Sequence, residues 1–201
     1  MDIKKSSFIF IILFSNTVFA EDCKTRFSKL DTQLHQILSE NKIKKLIALE
    51  DALFKAIDKC RTTSGMFVLM GEVQIDMGQI PLAVVYGQKA IELDSTNWRA
   101  HNLLGSARIL NKEPITGLVS LKKAVNLAPN NVNAKLNLAS GLIENTKFDE
   151  ALEIINKIIA RNTDTDLLAT AYYLRSQIYK GKGLIIEADK DLKEAKQRGF
   201  E

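Results

Sequence analysis

The chain has 201 residues and a formal net charge of +4, a mild basic excess spread along its length. The one visible basic cluster, Lys42, Lys44 and Lys45, is short and lacks interleaved aromatic residues, so composition gives no nucleic-acid footprint and the cluster reads as a solvated helix start.

At the N-terminus, Lys4 and Lys5 precede the apolar run Phe8 to Phe14. A polar Ser15-Asn16-Thr17 break and then Val18-Phe19-Ala20 follow. Charged, apolar and small-residue segments in that order predict a secretory signal peptide over residues 1–20, cleaved after Ala20. The apolar run is far short of the roughly 20 residues that span a bilayer, so no membrane span is expected in the mature form. A lipid anchor is disfavoured as well, because Ala20-Glu21-Asp22 precedes Cys23 where a small residue should stand directly before it. Removing Lys4, Lys5 and Asp2 with this segment leaves 181 residues at net charge +3, enough for one compact domain or one short repeat array.

Apolar residues at helical spacing come next, in Phe27, Leu30, Leu34, Ile37 and Leu38. They recur in Leu46, Leu49, Leu53 and Ile57, with a polar break at residues 40–42. This predicts an antiparallel helical hairpin over 21–63. The two cysteines, Cys23 and Cys60, lie equidistant from the turn and so meet at its open end. An even cysteine count in an exported chain with no histidine cluster points to a disulfide rather than a metal site. Closing that loop stabilises the hairpin by about 3–4 kcal/mol in the chain-entropy description.

From residue 64 onward small residues recur every 34 positions: Gly71, Gly105 and Ala139; Ala90 and Ala124; Ala83, Gly117 and Ala151. Two helices can approach closely only where side chains are short, so the period predicts stacked helical hairpins. Pro81 and Pro114 fit first turns of second helices, and Gly78 and Gly183 fit the reversals between paired helices.

These residues resemble the tetratricopeptide-repeat (TPR) family, whose unit is a 34-residue helix-turn-helix. The copy at 98–131 carries Leu104-Gly105, Gly117, Leu121, Ala124 and Pro129. The copy at 64–97 keeps Met70-Gly71, Ala83 and Ala90, and the copy at 132–165 keeps Leu138-Ala139, Phe148 and Ala151. A fourth, 169–201, is displaced by three residues, which suggests a longer connection near Asn162 to Asp166. Residues 21–63 are either a capping hairpin or a degenerate repeat. The resemblance implies an all-α fold of ten helices, antiparallel hairpins stacked as a TPR-type right-handed solenoid, with Leu121, Leu152, Ile155 and Leu192 in the core.

Chemistry is hard to place on this chain. His35 and His101 stand far apart without metal-ligand spacing, Gly181-Lys182-Gly183 is not a phosphate loop, and no nucleophile with a base can be assembled. The expectation is a non-enzyme without cofactor or metal. By resemblance, the first helices line a concave face that binds a protein or peptide through Arg99, Asn102, Ser106, Asn133, Asn137, Ser140, Tyr173 and Gln177. A grip on chaperone C-termini needs several basic residues there, and only Arg99 beside Asn137 approximates it. The localisation expected is periplasmic or secreted, and the function a scaffold or adaptor in the bacterial periplasm serving envelope complex assembly or regulation. Two alternatives are an assembly factor for a secretion or pilus system and a non-catalytic subunit of an envelope enzyme.

Overall fold

The structure, a computed structural model, describes residues 63–161 and 165–200 together with 25, 28–30, 32, 48 and 51–52. The expected signal peptide, Cys23 and Cys60 with their disulfide, His35, the Lys42 to Lys45 cluster and most of the first hairpin lie outside the described residues.

From Ser64 onward, eight helices follow one another among the described residues: α1 Ser64–Asp76, α2 Ile80–Leu93, α3 Trp98–Leu110, α4 Pro114–Leu127, α5 Val132–Glu144, α6 Phe148–Arg161, α7 Thr165–Gly181 and α8 Ile185–Gln197. Among the described residues there is no strand. The first helices of three hairpins start alike. Thr63, Asn97 and Asn131, each 34 residues from the next, turn a side-chain oxygen onto a first-turn amide at Met66, Arg99 and Ala134. Such a cap supplies an acceptor that the helix itself lacks. Second helices α2 and α4 have no side-chain cap and start instead on Pro81 and Pro114, which have no amide proton to satisfy.

The reversals repeat too. In each hairpin one residue adopts positive φ, namely Gly78, Lys112, Thr146 and Gly183. The amide after it donates back to a carbonyl of the first helix, as Gln79 does to Gln74, Glu113 to Arg108, Lys147 to Leu142 and Leu184 to Tyr179, at 2.8–2.9 Å. Glycine suits the left-handed region; lysine and threonine are held there by the same hydrogen bonds.

Each helix packs on the next in sequence, and first helices also pack on one another, α1 on α3, α3 on α5 and α5 on α7. Among the described residues the second helices do not pack backbone against backbone as the first helices do; α4 reaches α6 through the exposed Lys122–Glu150 ion pair. The stack therefore curves with first helices inside and second helices fanned outward. Its core holds Leu121, Leu142, Ile155 and Ile178 fully buried, with Leu152 against them; Leu192 is half-buried on α8. Leu30 is buried in a separate cluster with Met66, Leu69, Met70 and Tyr86, and Ala52 packs against the same cluster, so these two residues contact α1 and α2.

The small-residue period marks where backbones meet. A Cβ on Gly117 would lie 2.7 Å from the Gly105 carbonyl oxygen and 3.1 Å from the Ile109 nitrogen. The fourth hairpin departs from expectation. Its three-residue displacement lies within α7, which has 17 residues where α1, α3 and α5 have 13, so an added helical turn replaces the longer connection. At that end Arg175 grips the buried Asp191 through Nε at 2.6 Å and Nη2 at 3.0 Å, and reaches Asn156 on α6. The hydrogen bond to Asp191 raises the guanidinium pKa beyond its ordinary value.

Candidate partner-binding face

The inner face is built from the first helices α1, α3, α5 and α7. On α3, Arg99, Asn102 and Ser106 fall three and four residues apart and share one side of the helix; Asn133, Asn137 and Ser140 do the same on α5, and Tyr173 and Gln177 on α7. All are half-buried except Asn133, which is exposed.

Two contacts join neighbouring helices. Arg99 Nη2 bonds both carboxylate oxygens of Glu72 on α1, at 3.1 and 3.3 Å. Asn137 Nδ2 donates to Asn102 Oδ1 at 3.1 Å, bridging α5 to α3. The first contact neutralises the one cation that suggested a carboxylate clamp. The second leaves the Asn102 amide protons and the Asn137 carbonyl oxygen to meet a ligand.

Glu72 belongs to this face although the sequence reading omitted it. It stands 34 residues before Ser106, and Ser140 and Gln177 continue the same register after the three-residue displacement in α7. Glu72, Ser106, Ser140 and Gln177 are therefore one polar row crossing four helices, findable by extending the period one copy back. Tyr173 is engaged within the chain. It stacks on Phe200, with centroids 4.1 Å apart and planes 17° apart, so one of its faces is covered by the chain itself.

No catalytic constellation is assembled from these groups. His101 Nε2 lies 3.0 Å from the Ser95 carbonyl oxygen, away from the row. Among the described residues no three of His, Cys, Asp and Glu gather as metal ligands, and no helix is long and apolar enough to cross a membrane.

Comparison with known families matches residues 116–176 and 169–198 to two profiles described as tetratricopeptide repeat. Among solved structures, the chain is similar to MamA (TM-score 0.60, 23% identity, 81% of this chain and 92% of that one). It is also similar to YrrB, described as a TPR protein with an unusual peptide-binding site (TM-score 0.58, 20% identity, 83% and 82%). A thermophilic TPR protein of Thermus thermophilus superposes with TM-score 0.69 at 13% identity over 85% and 91%. At these identities the likeness concerns the fold. Comparison with curated proteins finds no match.

Proposed function

Because this chain is a tetratricopeptide-repeat protein, we propose that it serves as an exported scaffold that holds an extended segment of a protein partner along its inner face, without catalysing a reaction. The observation that carries this reading is the polar row from Glu72 to Gln177 with the Asn102–Asn137 amide pair beside it. An extended peptide presents unpaired amides and carbonyls along its length, and asparagine and glutamine answer both. YrrB, with its described peptide-binding site, is a precedent for that ligand class on this fold.

Export is inferred from Lys4, Lys5, the apolar run and Ala20. A bacterial envelope complex is the setting that this destination suggests. The test uses the full-length gene expressed in its own cells with a photo-crosslinking residue at Asn102 or Ser140, and at Val119 on the outer side as control. The reading expects one partner captured from both inner positions and not from Val119, with the mature chain beginning at Glu21. Capture from Val119 alone would move the site off the inner face, and a chain retaining Met1 in the membrane fraction would refute export.

A further inference from the structure

Because second helices do not pack closely on one another, grooves run between them on the outer side, and the α4–α6 groove is crossed by the exposed Lys122–Glu150 ion pair. The groove between α4 and α6, floored by α5, encloses about 500 Å³. Its walls are apolar, with Val125, Ile154 and Ile158, and its rim carries Lys135, Lys157 and Arg161 with no carboxylate among the lining residues.

Two of the four hairpins place an aromatic ring at the register of Lys135, the second having His101 there instead. In the first hairpin the Phe67 ring of α1 lies 6.0 Å from the Tyr86 ring and 5.7 Å below Lys89 Nζ. Two periods on, Phe67, Tyr86 and Lys89 become Lys135, Ile154 and Lys157. The apolar wall and the covering cation are kept, and the aromatic ring is missing. In the fourth hairpin, at the corresponding register, the ring is present again. Tyr172 lies 5.3 Å from Arg175 and 5.2 Å from Arg198.

Lys135 cannot fill the seat from within, since its ammonium stays in water while only its stem covers apolar surface. Lys157 is paired with Glu153 at 2.5 Å, but both side chains are about two-thirds exposed, so the pair is weak and readily exchanged. A ring entering this groove meets apolar walls and a cation placed for its face, and the three basic rim groups favour negative charge beside it.

We propose that the groove between α4 and α6 receives an aromatic side chain from an acidic peptide segment of a partner. This surface lies on the opposite side from the polar row and stands independently of the function proposed above.

The probe is a fluorescein-labelled, end-blocked pentapeptide with a central phenylalanine flanked by acidic residues, titrated by anisotropy into the full mature chain. Saturable binding is expected. Replacing the phenylalanine with alanine, or the acidic residues with their amides, should weaken it about tenfold or more. Lys135→Phe should abolish binding by filling the seat as Phe67 does, while circular dichroism shows the array still folded. Lys157→Gln and Arg161→Gln should each weaken binding and flatten its salt dependence. Asn102→Ala and Asn137→Ala should leave it unchanged. The proposal is overturned if the chain does not bind the peptide, if the alanine peptide binds equally well, or if Lys135→Phe has no effect. Saturable binding of dodecanoate in place of the peptide would assign the groove to a lipid and overturn it too.

Discussion

Adding one methyl group at Gly117 tests how the period of small residues works. A Cβ there would sit 2.7 Å from both the Gly105 carbonyl oxygen and Ile109 Cγ1, and 3.1 Å from the Ile109 nitrogen. Ordinary carbon–oxygen contacts are about 3.3–3.6 Å, so α3 and α4 must part by roughly half an ångström. Two of the three obstacles are backbone and cannot rotate aside. Overpacking of this kind costs about 1–3 kcal/mol, while alanine improves helix propensity by about 1 kcal/mol over glycine. With backbone obstacles the cost falls in the upper part of that range, about 2–3 kcal/mol, so Gly117→Ala should lose about 1–2 kcal/mol net. Gly141→Ala is the control, because its Cβ would meet side-chain ends alone, Leu121 Cδ1 at 2.6 Å, Ile109 Cδ1 at 3.0 Å and Leu118 Cδ1 at 3.7 Å, which can move. That variant should be close to neutral. Urea unfolding followed by far-UV circular dichroism separates the two. Gly117→Ala as stable as the parent, or Gly141→Ala the more damaging, would refute the reasoning.

Thr146→Gly should gain about 0.5 kcal/mol in the same assay, since relieving a β-branched residue at φ 57° outweighs the extra freedom of glycine in the unfolded chain. Gly183→Ala, at φ 76°, should lose about 1 kcal/mol. Asp191→Ala should cost about 2 kcal/mol by thermal melt, less than a fully buried broken pair because the Arg175 side chain is 20% exposed and can reach water. On the inner face, Asn102→Ala and Asn137→Ala should each weaken the captured partner by about 1 kcal/mol in titration calorimetry with little change in melting. The Glu150 and Glu153 carboxyls are held below their ordinary 4.5 by hydrogen bonds from Lys147 and Lys157 respectively. Their stabilising contribution is thus present above pH 4.5 and lost as pH falls through the lower folded values. Replacing both with glutamine should lower the melting temperature slightly at neutral pH and leave it unchanged in acid, so the acid-induced drop shrinks by that same small amount, small because both are exposed.

The hairpins were legible because close helix approach restricts side-chain size, and Gly71, Gly105 and Ala139 record that restriction directly. The reversals were half legible. Gly78 and Gly183 declare a left-handed residue, whereas Lys112 and Thr146 occupy the same backbone conformation with side chains that give no sign of it. The added turn of α7 was hidden because the polar cluster at residues 162–164 reads as a break, although the helix begins at Thr165, immediately after it. At the candidate site, the family resemblance put the chosen residues on the first helices α3, α5 and α7 but could not show which would find partners within the chain. The Asn102–Asn137 bond, the Arg99–Glu72 pair and the covering of Tyr173 by Phe200 depend on how neighbouring helices are offset. That offset is a property of packing between copies, which no single copy carries.

The contacts between the eight helices reach no farther than two helices along the sequence. No hairpin among them waits for a distant strand or terminus before its own core can close, so loop-closure entropy is paid in small instalments and the barrier to assembly is low. Such a chain can fold in order as it emerges from the ribosome or from a translocation pore, each new hairpin finding a finished surface to settle on. An end of the array can likewise open and re-form while the middle stays intact, so hydrogen exchange should be slowest at α3 to α6 and quicken toward α8.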